Sequence, residues 1–345
     1  MPALALARAA VDAGHDVVLV GAERGVEARV LPTYPFRFHL LPMEPLYRRA
    51  WWRNLRWPVI AVRAWRAAGR VLADERPAIV VGTGGYAAGP VVWRAQRAGI
   101  PTALQEANAF PGLATRLLAS GARQVHLGFP EAERQLRVGT ATRVFVLGNP
   151  IAPPSAIDRT TALATFGLPA SRPSLFVVGG SQGARALNEA LAGALATGAL
   201  ADLSLIWSTG PAHFEQYAGA ARAGQVAVRG FIDPIGPAYA AADVVVCRAG
   251  AMTVAELCAW GKASVLVPLP SAAADHQTGN ARALADAGAA VLLAERDLTP
   301  ESLARAAGYL ARDSDRRSAL SAAARSRGRP GAARDILSAI LTLVG

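Results

Sequence analysis

Two cysteines in 345 residues, Cys247 and Cys258, are too few for a disulfide framework, and no CxxC pair offers a metal site. Cys247 closes an apolar strand and Cys258 follows on a helix, so both are expected to face a core in a cytoplasmic protein. No apolar run approaches the ~20 residues of a membrane span. The opening MPALALARAAVDAGHDVVLVG is not read as a secretory signal. Arg8 and Asp12 interrupt it, Gly14 suits a helix C-cap, and DVVLVG suits a buried strand. Acidic residues are outnumbered, 25 against 36 basic, for a net charge of +11. That balance implies an anionic partner, whether nucleotide, nucleic acid or acidic lipid. Part of the arginine excess is also what a biased genome produces.

Two nucleotide-binding signatures are missing as well. No glycine-rich turn ends in the Lys-Ser/Thr of a P-loop. None matches GxGxxG with an acidic residue at the spacing an NAD ribose needs, which weighs against a dinucleotide cofactor.

What is present is alternation. Strands are predicted at 16–21, 36–41, 78–82, 101–105, 124–127 and 143–147, with helices at 2–13, 58–74, 88–98 and 111–119. A second series of strands runs at 174–178, 203–208, 226–229, 243–247, 263–267 and 289–293. A last helix, 332–344, follows the breaker RGRPG. Strands alternating with helices predict parallel sheets covered on both faces. The Pro-rich bridge GNPIAPPSA, 148–156, divides them into two Rossmann-like, doubly wound domains with a cleft between. The expected bounds are 1–148 and 149–330, with 331–345 packing back on the first domain.

The stretch VVVCRAGAMTVAE, 244–256, organises the rest. A buried strand leads through Arg248, Ala249 and Gly250 into a helix carrying Glu256. The unpaired N–H groups and dipole of such a helix suit a phosphate. Gly250 permits close approach and Thr253 adds a hydroxyl. A carboxylate one turn on can accept both hydroxyls of a ribose. The alternative is an ordinary βα unit with Glu256 solvated. GTGGYAAGP, 82–90, and GGSQGARALN, 179–188, are two more glycine turns at strand ends. Ser181 and Gln182 place donors at a helix start, or serve only as caps. Asp275, His276, Gln277 and Asn280 in ADHQTGNA suit a sugar. Glu106 and Asn108 in QEANAFPGL stand at another strand end. No cluster of ligands suggests a metal.

Residues 47–70 combine four tryptophans with many arginines. Trp51, Trp52, Arg53, Arg56 and Trp57 are read as a peripheral membrane-docking patch, against a core helix with a basic outer face. A nucleic-acid surface is disfavoured, since no binding motif accompanies the charge.

GTGGY, QEAN, GNP, VVGGSQGA, FID, CRAGAMTVAE and DHQ, in this order and spacing, resemble the MurG family over nearly the whole chain. The resemblance implies the two-domain GT-B fold. It also implies inverting transfer of N-acetylglucosamine from UDP-N-acetylglucosamine to lipid I, at the cytoplasmic face of the membrane, in a setting of cell-wall and division proteins, with no cofactor. It places Ile232 at the uracil, Ala251, Met252 and Thr253 around the phosphates, and Glu256 at the ribose, with Val254 and Ala255 among the residues that bind the donor. Ser181 and Gln182 fall near the diphosphate, His276 and Gln277 at the sugar, and Asn108 on the N-terminal side. Gly84, Gly85 and Tyr86 shape the acceptor cleft. Glu106 is the in-chain candidate for the general base.

Three departures stand out. Gln105 and Ala107 sit in a segment usually HEQN, and Ala152 replaces an arginine. The family's first strand and GGTGGH loop precede the point where this chain begins. A lost central strand would leave buried backbone groups unpaired at roughly 1–3 kcal/mol each, so a misplaced start is expected rather than a true truncation. Two alternatives remain at this stage: another UDP-sugar enzyme of this fold, or a non-catalytic remnant that binds nucleotide.

Overall fold

A computed structural model describes residues 2–44, 55–272 and 275–344. The chain divides into two units, Met1–Ile151 with Gly331–Gly345, and Ala152–Pro330. The division falls just beyond the expected 148/149 because the GNP turn is tied to the first unit. Gly148 N–H donates to Leu127 O at 3.0 Å, and Asn149 Nδ2 donates to Ala107 O at 2.9 Å.

In the first unit, α1 (Pro2–Asp12) leads to β1 (Val18–Ala22), α2 (Glu27–Val30) and β2 (Arg37–Leu41). α3 (Trp57–Glu75), β3 (Val80–Gly82), α4 (Gly85–Arg97), β4 (Thr102–Glu106), α5 (Leu113–Leu118), β5 (Gln124–Leu127) and β6 (Arg143–Phe145) follow. β1 and β2 form a parallel pair, and β3-β4-β5-β6 form a separate parallel sheet. One core joins them: Ala22 and Leu41 pack with Ala64, Ala68 and Leu72 of α3 and Ala87, Val91 and Ala95 of α4. α4 starts three residues earlier than predicted. Its buried stripe of Ala87, Val91 and Ala95 repeats every four residues across Pro90, and Gly84 and Gly85 supply the left-handed entry at φ 86° and 76°.

In the second unit, α6 (Arg159–Ala164), β7 (Ser174–Val178), α7 (Arg185–Ala196), β8 (Ser204–Ser208), α8 (Phe214–Tyr217) and β9 (Val226–Arg229) come first. α9 (Gly236–Ala241), β10 (Val244–Cys247), α10 (Ala251–Trp260), β11 (Ala263–Leu266), α11 (His276–Asp286) and β12 (Val291–Leu292) continue it. α12 (Pro300–Arg312) and α13 (Ser314–Arg327) close it. The six strands are all parallel in the order β12-β11-β10-β7-β8-β9. β7 to β10 are apolar and almost wholly buried, as a sheet covered on both faces requires. The chain winds outward from β7 to one side, then returns to β10 on the other. The switch point therefore lies between β7 and β10, where sheets of this kind take ligands beyond the carboxyl ends of the strands. The last helix, α14 (Ala332–Leu341), lies on the first unit. Ala332, Ile336 and Ile340 pack with Leu6 and Ala103.

Candidate functional site

The register pairs Val178 with Cys247, so the two glycine turns after β7 and β10 leave the sheet side by side. The first is Gly179 to Ala184. A Cβ on Gly179 would sit 2.3 Å from Ala184 N, and one on Gly183, at φ 78°, would sit 2.2 Å from Thr209 O. Only glycine fits at either place. Ser181 and Gln182 are exposed at the tip of this turn, just before α7. Below it, buried Asn188 donates to Thr209 O at 2.8 Å and accepts from Trp207 Nε1 at 2.9 Å, fixing α7 on the sheet.

The second turn starts α10 without a side-chain cap. Gly250 is the N-cap, and the ladder begins with Val254 N–H on Gly250 O at 2.9 Å. The N–H groups of Met252 and Thr253 lie outside that ladder, so the dipole and these donors face the strand ends. A side chain at Gly250 would meet only Thr253 Oγ1 at 3.8 Å, which leaves open space over the helix start.

Glu256 lies one turn in and is half-buried. Tyr239 Oη donates to its Oε2 at 2.8 Å. Burial pushes the Glu256 carboxyl above its usual range, and the Tyr239 hydrogen bond opposes that rise. Ile232 follows β9 in the GFID segment that leads to α9 and is half-buried.

α11 brings the predicted sugar-reading residues to the end of β11, with two differences. Gln277 Oε1 accepts from Leu269 N–H at 3.0 Å, so the oxygen of this amide holds the preceding loop. Asn280 is fully buried and donates to Ala249 O at 3.1 Å, so it braces the α10 turn rather than lining an open face. Asp275 accepts from Thr278 Oγ1 at 2.6 Å and makes no backbone cap. Arg248 was legible only as part of a turn, yet the residue is 8 % exposed. It donates to Val267 O at 3.2 Å and Pro268 O at 3.3 Å, and pairs with Glu295.

In the first unit, Gly84, Gly85 and Tyr86 form the entry to α4 after β3, and Glu106 and Asn108 follow the neighbouring β4. Glu106, the expected base, is surrounded by donors of its own loop. Its oxygens accept four hydrogen bonds: from Asn108 N–H at 3.0 Å and Nδ2 at 3.3 Å, from Gly112 N–H at 2.9 Å, and from Thr115 Oγ1 at 2.6 Å. A carboxylate has about four lone-pair positions, so these four bonds engage all of them. Glu106 instead holds the 106–115 loop. Gln105 Nε2 reaches Gly148 O at 3.2 Å and Asn149 Oδ1 at 3.3 Å, tying this loop to the GNP turn.

Trp51, Trp52 and Arg53 lie outside the described residues. Arg56 is exposed, while Trp57 packs against the core of α3 and α4, and its Nε1 is buried without a partner among the described residues. Trp57, Ile60, Ala64, Ala67 and Val71 form one inward stripe at helical spacing. The outward side carries Leu55, Val59 and Val62, exposed by 73, 63 and 48 %, among the exposed Arg63, Arg66 and Arg70. Among the described residues no helix is long and apolar enough to cross a membrane, and no cluster of His, Cys, Asp and Glu could hold a metal.

Comparison with known proteins puts this geometry in company. The glycosyltransferase family 28 N-terminal domain profile matches residues 1–127 and the C-terminal domain profile matches residues 174–336. A curated relative from Chlorobaculum parvum, UDP-N-acetylglucosamine–N-acetylmuramyl-(pentapeptide) pyrophosphoryl-undecaprenol N-acetylglucosamine transferase, is 40 % identical over 338 residues, covering 96 % of this chain and 91 % of its own. A relative of the same description from Anaeromyxobacter sp. is 42 % identical, covering 99 % and 89 %. The crystal structure of Acinetobacter baumannii MurG superposes with a TM-score of 0.80 at 30 % identity, covering 99 % of this chain and 95 % of that one.

Proposed function

The chain belongs to glycosyltransferase family 28, in its MurG branch and with the GT-B fold, and from that premise we propose its reaction. It moves N-acetylglucosamine from UDP-N-acetylglucosamine to lipid I and so makes lipid II for peptidoglycan synthesis. The observation that carries the donor assignment is the pairing of two uncapped glycine turns at the β7/β10 switch point, with Glu256 one turn behind the second.

In this reading the diphosphate lies over the start of α10, against Ala251, Met252 and Thr253, with Ser181 and Gln182 across from it; Val254 is buried beneath them. The helix dipole and N–H groups take up the negative charge that grows as UDP leaves, and they are oriented before the reaction begins. Glu256 accepts the ribose hydroxyls. Ile232 offers its backbone to the uracil. With its oxygen already engaged, Gln277 turns its NH2 to the sugar, next to His276. The muramyl 4-hydroxyl attacks the anomeric carbon, its proton passes to a general base, and the bond to the diphosphate breaks with inversion. Asn108 faces the acceptor from a loop that Glu106 makes rigid, with Gly84, Gly85 and Tyr86 beside it. The enzyme works as a peripheral protein on the inner, anionic face of the cell membrane, docked through the outer side of α3.

Two measurements test this. Labelled N-acetylglucosamine should pass from its UDP donor to a lipid I analogue, and absence of transfer from a folded protein removes the proposed reaction. Glu256→Ala should abolish calorimetric UDP binding with the fold intact; unchanged affinity would remove the donor-site assignment.

A further inference from the structure

Tyr239 and Glu256 come from different helices, α9 and α10, yet they share a short hydrogen bond of 2.8 Å. The phenol is completely buried. Phe176 of β7 meets its ring edge-on at 5.8 Å, and Trp260 lies against it at 6.0 Å. With the ring held on both sides, the hydroxyl has a fixed position and points at one carboxylate oxygen. Oε2 takes this bond; among the described residues no side chain donates to Oε1.

We propose that Tyr239 is a positioning residue for ribose recognition: its hydroxyl fixes the Glu256 carboxylate as an acceptor for two vicinal hydroxyls. The inference rests on Glu256 as the ribose acceptor. The chemistry favours it over a carboxylate that merely satisfies a buried tyrosine. Among the described residues no cation accompanies Glu256. Burial raises its proton affinity, and the Tyr239 hydrogen bond opposes this. The other titratable group facing the carboxylate is the Cys247 thiol. Burial first, and then the Glu256 charge, push that thiol far up, so it stays neutral and supplies no compensating charge. Burial likewise holds the Tyr239 phenol well above its ordinary value, so it remains a donor wherever the protein is folded. The ionised carboxylate is the stronger acceptor for ribose hydroxyls, and the Tyr239 donor favours that form. The same α9 segment begins just after Ile232, so the backbone proposed for the base and the donor that sets the ribose acceptor lie on one short piece of chain.

The test is calorimetric titration of UDP and 2′-deoxy-UDP from pH 5.5 to 8 into wild type, Tyr239→Phe, Glu256→Gln and the double variant. Tyr239→Phe should bind UDP up to about tenfold more weakly, the scale of one net hydrogen bond. Its preference for UDP over 2′-deoxy-UDP should shrink, and the pH below which binding fades should move upward. In the Glu256→Gln background the same change should cost nothing more. The pH limb that Glu256→Gln retains belongs to the diphosphate and serves as the reference. If Glu256→Gln weakens UDP binding while Tyr239→Phe leaves affinity and pH limb as in wild type, the Tyr239 role is overturned. If Glu256→Gln itself changes nothing, the ribose assignment has failed first. Should Tyr239→Phe not fold, 3-fluorotyrosine at position 239, a stronger donor on the same ring, should move the limb downward; an unmoved limb overturns the proposal.

Discussion

Asn280 of α11 donates its Nδ2 to the carbonyl of Ala249, 3.1 Å away, in the turn that starts α10. One buried amide therefore joins the helix carrying His276 and Gln277 to the turn proposed for the diphosphate. Arg248 supplies a second tie, through Val267 O and Pro268 O, to the loop that Gln277 also holds at Leu269. Donor recognition is thus expected to behave as one block. Asn280→Ala leaves Ala249 O unpaired in a dry setting, at roughly 1–3 kcal/mol. Thermal unfolding should occur a few degrees lower, and KM for UDP-N-acetylglucosamine should rise more than kcat falls. A lower kcat at unchanged KM would argue against the coupling.

Glu106 gives a prediction that separates a brace from a base. Glutamine in its place offers one acceptor oxygen and sets an NH2 against the donors of Gly112 and Thr115. Leaving buried donors unmatched costs roughly 1–3 kcal/mol each, so Glu106→Gln should lower the denaturant midpoint measurably. The remaining activity should keep the wild-type pH profile. A variant of full stability whose activity no longer falls on the acid side would make Glu106 the proton acceptor.

Elements and turns were legible in the sequence because they rest on local rules. Apolar runs bounded by glycine became buried parallel strands, and each glycine turn ended where a helix begins. Trp57 was legible too, in hindsight: Trp57, Ile60, Ala64, Ala67 and Val71 keep helical spacing, and that spacing places the indole inward. What stayed hidden were partners distant in sequence. Nothing near Glu106 announces that Gly112 and Thr115 will saturate it, nothing near Arg248 announces Glu295, and a tyrosine inside the apolar PAYAAAD reads as core until α10 delivers Glu256 to it.

His126 predicts an acid sensitivity. It is fully buried in the centre of β5, stacked on Phe145 at 5.3 Å, with Nε2 3.0 Å from Gln124 Oε1 and Nδ1 unpartnered. Burial disfavours the imidazolium and lowers the pKa from 6.5 to about 4. Between those values the unfolded chain binds a proton that the folded chain refuses. Stability is therefore full above pH 6.5 and falls as pH drops toward 4, by on the order of 3 kcal/mol in all. Urea unfolding at pH 7.5, 6 and 5 should show the loss in wild type and a flatter response in His126→Gln. Equal slopes in both proteins would place the acid sensitivity elsewhere.

The outer side of α3 sets the last expectation. Leu55, Val59 and Val62 stand clear of the core with Arg56, Arg63, Arg66 and Arg70 exposed on the same segment. Apolar side chains can enter the headgroup boundary while each arginine near an anionic surface adds about 1 kcal/mol. Replacing Leu55, Val59 and Val62 by Ser removes the apolar part and leaves the inward stripe of Trp57, Ile60 and Ala64 intact, so the fold should survive. Sedimentation with vesicles containing anionic lipid should fall sharply, and the residual binding should disappear in high salt. Retention equal to wild type would move docking to the preceding stretch. In that case replacing Trp51 and Trp52 by Ser, with α3 untouched, should release the protein.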